Sequence, residues 1–251
     1  MFSNSIRRLA RWLCSGLALI LAANAQAGIV LNTTRVIYPA TDKEVNLQVH
    51  NTGTGDILAQ SWLETDGDSA SSGSPPFAIT PALARMPGNA RQLIRIIYSG
   101  EGLPGDRESV LWLNVQEIPQ TASENQLQIA IRQRIKLFFR PEGLSDDPLK
   151  AAQALQWQLR DQHLEVVNPG PYHVSMIKLE ARQQGRVLFR EDSRMLAPQQ
   201  RLQLPLNEVA RPGALDLAFI SINDFGGQEP YHASVRGDRA TQANKAESRS
   251  D

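Results

Sequence analysis

The chain has 251 residues, with 26 basic and 26 acidic side chains and a single cysteine. That length fits one large or two ordinary domains, and the balanced charge excludes the basic excess of a duplex nucleic-acid binder, so no nucleic-acid partner is expected. The cysteine, Cys14, lies in a segment read below as removable, which leaves no disulfide framework and makes core burial the source of stability.

Residues 1–27 carry Arg7, Arg8 and Arg11, then an apolar run over 17–23, then the small-residue triplet Ala25-Gln26-Ala27. This is the layout of a secretory signal peptide with cleavage after Ala27. The uncharged stretch is shorter than the ~20 residues that span a bilayer, so a membrane anchor is the weaker reading and no stable membrane insertion is expected. Bulky Trp12 and Leu13 ahead of Cys14 argue against lipid attachment. Without the three leader arginines the basic count falls from 26 to 23 against 26 acids, a net charge of −3.

Beyond the leader, apolar and polar residues alternate over 29–37, 45–49, 57–63, 77–83, 93–98, 110–115 and 127–139, with Gly, Asn, Asp, Ser and Pro between the runs. Period-two alternation puts one side chain in and the next out, which predicts strands with one buried face and, for seven of them, an antiparallel β-sandwich. The segment 140–148, RPEGLSDDP, interrupts any ladder with two prolines and a glycine and predicts a domain boundary. Further runs at 155–159, 164–167, 174–179, 187–189, 202–206, 215–222 and 231–235 predict a second, smaller sandwich. The expected organisation is a signal peptide over 1–27, a first domain over 28–143, a second over 144–237 and a mobile tail over 238–251, where no apolar face is available to bury.

The run 125–139, NQLQIAIRQRIKLFF, exceeds an ordinary strand of ~5 to 6 residues and would reach ~50 Å. By parity Leu127, Ile129, Ile131, Ile135, Leu137 and Phe139 share one face, interrupted by Gln133, while Gln128, Ala130, Arg132, Arg134 and Lys136 share the other. One reading is a long central strand with a buried and a solvated face. The other is that the end near Ile135 packs in the chain's own core while Leu127, Ile129 and Ile131 present an apolar row to a partner. Exposed apolar edges are normally blunted, so one that is retained points to binding.

The chain resembles the periplasmic chaperones of the chaperone-usher pathway that assembles pili. The resemblance rests on Thr34-Arg35-Val36, DRESVLWLNVQEIP over 106–119, IKLFFRP over 135–141, NPGPY over 168–172 and INDFGG over 222–227. It implies an all-β fold of two immunoglobulin-like β-sandwich domains arranged as a boomerang with a cleft between them. The short connection over 119–125 and the cysteine-free mature chain resemble the branch with a short loop before the long strand. The implied activity is to bind, fold and cap pilus subunits by donor-strand complementation and to deliver them to an outer-membrane usher. That activity needs no cofactor and no metal, and its place is the periplasm.

The resemblance also implies residue roles. Arg35 and Lys136 match the cleft-base pair that grips a subunit's C-terminal carboxylate, where two cations converging on one carboxylate make charge-assisted hydrogen bonds. Leu127, Ile129 and Ile131 match the donor-strand residues that fill an incomplete subunit. Glu108, Arg140 and Asp224 match an ion-pair group that ties the domains together. Arg95, Arg132 and Arg134 read as surface charges.

An enzyme is the first rival reading. His50, His163, His173 and His232 lack metal-ligand spacing, and the chain has neither G-x-S-x-G nor a phosphate-binding loop, so none is expected. The second rival, a secreted immunoglobulin-like pilus component or adhesin, requires a sandwich short of its last strand. Whether the free protein caps its own edge by self-association stays open.

Overall fold

A computed structural model describes residues 28–65, 74–120, 128–160, 162–207, 213–237 and 239–246. The expected leader, and Leu127 of the expected donor row, lie outside the described residues. Among the described residues, nine strands build the first sandwich: β1 (Ile29–Leu31), β2 (Arg35–Pro39), β3 (Val45–Asn51), β4 (Ile57–Thr65), β5 (Phe77–Thr80), β6 (Leu83–Met86), β7 (Arg91–Tyr98), β8 (Ser109–Pro119) and β9 (Arg132–Arg140). They form two sheets in the orders β1-β3-β7-β5 and β2-β9-β8-β4-β6. Alternation supplies the core: Leu47, Val49, Ile94 and Ile96 from one sheet face Leu111, Leu113, Val115 and Leu137 from the other, each at most 2% exposed.

The run 29–37, expected as one strand, is two strands in different sheets. β1 runs antiparallel to β3, and the chain then crosses to the opposite sheet, where β2 runs parallel to β9. Short polar side chains stabilise the crossing. Asn32 Oδ1 accepts from the Gln48 N–H at 3.0 Å, and Thr33 Oγ1 donates to the Arg35 carbonyl at 2.7 Å.

The second sandwich follows a helical turn, Pro148–Lys150 and α1 (Ala151–Ala154). Its strands are β10 (Gln156–Arg160), β11 (His163–Val167), β12 (Val174–Gln183), β13 (Arg186–Leu196), β14 (Arg201–Pro205), β15 (Leu215–Ile222), β16 (Gln228–Val235), β17 (Thr241–Gln242) and β18 (Asn244–Lys245). Their orders are β14-β11-β10-β17 and β13-β12-β15-β16-β18. Buried Trp157, Phe219 and Tyr231 fill the centre, with successive ring centroids 5.6 and 5.3 Å apart.

Two further expectations are corrected. Residues 241–245 are not a mobile tail: β17 pairs with β10 and β18 with β16, so the segment passes from one sheet to the other, and Ala243 between them is fully buried. The composition there is polar, but one small apolar residue at the crossing suffices to seat it. The long strand is also shorter than its alternation suggested, beginning at Arg132. The β8 ladder ends at the Gln116↔Arg132 pair with one further bond, from the Glu117 N–H to the Ile131 carbonyl, and β2 covers only Lys136 to Arg140, so among the described residues no strand pairs with residues 128–130.

Candidate functional site

β9 passes along the cleft between the sandwiches, and its two faces meet different surroundings. Leu137 and Phe139 point into the first core. Phe138 points the other way and is nevertheless 3% exposed, because the second domain covers it; its ring lies 5.6 Å from that of His173.

The parallel ladder makes Arg35 and Lys136 direct partners, so their side chains leave the sheet on the same side. Both reach across the cleft. Arg35 Nη1 donates to the Ile222 carbonyl at 2.9 Å and its guanidinium lies over the Phe138 ring, while Lys136 Nζ donates to Ser175 Oγ at 3.3 Å. Burial lowers the Arg35 pKa, opposed by the charges of Asp224 and Glu108. Its Nε is buried with no hydrogen-bond partner among the described residues. A buried donor left over beside a second cation is an arrangement that an anion would complete.

Behind this pair, Glu108, Arg140 and Asp224 come together. Arg140 grips Asp224 with both terminal nitrogens, at 2.6 and 2.8 Å, and donates through Nε to Glu108 Oε1 at 2.8 Å. Burial opposes the Arg140 charge, but the hydrogen bonds and charges of Asp224 and Glu108 outweigh it and raise its pKa. Glu108 Oε2 in turn accepts from the His173 N–H at 2.8 Å and lies 2.9 Å from its Nδ1. The Arg140 guanidinium also stands 5.1 Å over the Tyr172 ring. With His173 and Tyr172 the group spans four stretches of chain and both domains.

Sequence reasoning missed His173, which was weighed only as a metal ligand, and Ser175. The available signal was position, since His173 follows NPGPY directly and Ser175 lies two residues further on. It also missed how the outer face of β9 is dressed. Arg132 lies over the Trp62 ring and Arg134 over the Trp112 ring at 4.9 and 4.1 Å, and both pair with Glu64. Exposed Arg95, on the other sheet, pairs with Glu44.

The row expected to meet a partner lies beyond Arg132. Ile129 is 70% exposed, and Ile131 is half-exposed, its carbonyl accepting from the Glu117 N–H at 2.8 Å. Ile135 packs partly buried against the first core. Ahead of Lys136, the β9 edge opposite β8 pairs with no strand among the described residues.

Two family models match this chain: the pili and flagellar-assembly chaperone, PapD N-terminal domain, over residues 28–145, and the pili assembly chaperone PapD, C-terminal domain, over residues 150–233. The chain belongs to the PapD family of pilus-assembly chaperones. It is 37% identical to the probable fimbrial chaperone YadV of Escherichia coli K12, over 90% of this chain and 97% of that one. The crystal structure of YadV superimposes with a TM-score of 0.71, covering 83% of this chain and all of the other. The chaperone protein FimB/FhaD of Bordetella pertussis is 40% identical over 86% of this chain and 91% of its own. The SafB chaperone of Salmonella enterica, solved in complex with the SafA pilin, is 28% identical with a TM-score of 0.69, over 85% and 99% of the two chains. The role of this chaperone family is not an enzymatic one. No helix among the described residues is long and apolar enough to cross a membrane.

Proposed function

We propose that this protein works in the periplasm, where it binds, folds and caps pilus subunits by lending them the segment 127–131 as a strand, and hands them to an outer-membrane usher. The observation that carries the reading is the place of Arg35, which opens β2, directly beside Lys136 of β9. β2 runs parallel to β9 and begins at Arg35, so the open edge ahead of it has room for one more strand on the same line. A strand entering parallel to β9 would end at the two cations with its C-terminal carboxylate, whereas an antiparallel one would bring a terminal ammonium to them. Charge therefore selects direction as well as register, which strand pairing alone leaves free to slip. The unpartnered Arg35 Nε is the donor such a carboxylate would use.

Leu127, Ile129 and Ile131 then supply the apolar side chains that an incomplete subunit lacks, while backbone bonds give affinity that tolerates many sequences. The SafB complex with a pilin supports this reading, as does the leader expected over residues 1–27. The protein acts by binding alone, and a strand from the next subunit releases the cargo. The Glu108, Arg140 and Asp224 group fixes the domain angle that forms the cleft.

Subunit co-purification from the periplasm tests the proposal. Lys136→Ala or Arg35→Ala is expected to abolish capture while the fold persists, at a cost of ~2 to 5 kcal/mol of binding for one lost partner of a desolvated charge pair. Unchanged capture by both variants would overturn the anchor.

A further inference from the structure

β8 sends alternate residues into the first core. Leu111, Leu113 and Val115 are at most 2% exposed, and the next residue in that series is Glu117, itself 7% exposed. The alternation calls for an apolar side chain there, and a carboxylate is costly unless its charge is met. Burial raises the Glu117 pKa, opposed by a hydrogen bond from the Ile29 N–H. Its Oε2 has no hydrogen-bond partner among the described residues. The elements packed around it, β1, β4 and β9, bring Ile29, Ala59 and Gln133, none of which titrates.

Gly28 lies against this carboxylate. A Cβ built on Gly28 would fall 1.7 Å from Glu117 Oε2 and 2.5 Å from its carboxyl carbon, so the carboxylate occupies the side-chain space of residue 28. The Gly28 carbonyl is pinned by the Thr52 N–H at 2.9 Å and the Thr52 hydroxyl at 3.0 Å, and Gln133 Nε2 donates to the Ile29 carbonyl at 2.6 Å. The Ala25-Gln26-Ala27 triplet makes this same glycine the first residue after leader removal.

We propose that cleavage of the Ala27–Gly28 bond creates an ion pair inside the first domain, between the new α-ammonium of Gly28 and the buried carboxylate of Glu117. The signal-removing protease adds one water across that amide; Ala27 departs with the carboxylate and Gly28 keeps the amine. That amine, with an ordinary pKa of ~7.7 to 8.0, takes up a proton at neutral pH. β1 and β8 belong to opposite sheets, so the pair clamps the sandwich across its core. In the unprocessed chain the same nitrogen is an uncharged amide, Glu117 lacks this cation, and the first domain is less stable. Maturation thus switches on part of the fold's stability, one hydrogen bond away from Ile131 and the strand offered to subunits. The inference rests on export and leader removal, and does not depend on subunit capture, which is read out separately.

The test compares the exported chain, its first residue established by intact mass, with a chain retaining residues 25–27, each with and without Glu117→Gln. In the processed chain the substitution is expected to lower the melting temperature by roughly 5 °C or more. In the extended chain it should have no effect or raise it, because an unpaired buried carboxylate is removed. Nuclear magnetic resonance titration of the Gly28 amine in the unsubstituted processed chain should give a pKa about one unit or more above the ordinary range. Stability from a raised amine pKa is complete below the ordinary value and is lost as pH climbs through the raised one. Equal melting shifts in the two chains, an ordinary amine pKa, or an exported chain that starts at another residue would each overturn the proposal.

Discussion

The two ends of the segment 128–140 are built from the same kinds of residue and meet opposite fates. At one end Leu137 and Phe139 are at most 4% exposed, with β8 on one side of their strand and β2 on the other. At the other end Ile129 is 70% exposed and lies outside any ladder. Alternation defines a face, whereas burial of that face depends on which strands come alongside it. β2 comes alongside only from Lys136 onward, so the first part of the apolar face is left without a cover of its own.

The strongest way to break this contrast is to place the same charge at both ends. Leu137→Asp buries an unpaired carboxylate in a fully closed core and should unfold the first domain, a loss exceeding ~4 kcal/mol in thermal melting. Ile129→Asp should leave melting unchanged and still prevent co-purification of a subunit, because the carboxylate would be desolvated only in the complex. Equal destabilisation by the two would mean that both ends are buried alike.

The next largest effect is expected at the domain junction. Arg140→Ala leaves Glu108 and Asp224 close together without their shared cation, and breaking a buried pair of this kind costs ~3 to 5 kcal/mol. Calorimetry should show the two domains unfolding less cooperatively, and subunit capture should weaken because the cleft loses its geometry. Arg35→Ala removes from the free protein one hydrogen bond to Ile222, worth about 1 kcal/mol, and the cation–π contact with Phe138, so its stability loss should be smaller than its loss of capture. Arg134→Ala removes an exposed ion pair with Glu64 and the cation–π contact with Trp112, and should change stability by at most ~1 kcal/mol in chemical denaturation.

Much of the architecture was legible because most strands bury one face and polar residues separate them. The alternation could not reveal that the run 29–37 changes sheets, since Asn32 and Thr33 interrupt it no more than a turn-facing residue would. It overran the start of β9 because residues 125–131 alternate as well as any paired strand does. The charged cleft residues were located through family motifs; their chemistry became explicit only when the parallel ladder set Arg35 beside Lys136. His173 and Glu117 escaped for a common reason. Each is a polar residue whose burial comes from a distant part of the chain, the first domain's Glu108 in one case and the Gly28 backbone in the other.

The most direct test of the lent strand is hydrogen exchange at the amides of residues 128–131, measured in the free chaperone and in its complex with a pilus subunit. Donation predicts rapid exchange in the free protein and strong protection in the complex, with the amides of Leu137 to Phe139 protected in both. Rapid exchange at residues 128–131 in the complex as well would contradict it, since a strand that completes a subunit must bond its backbone to that subunit.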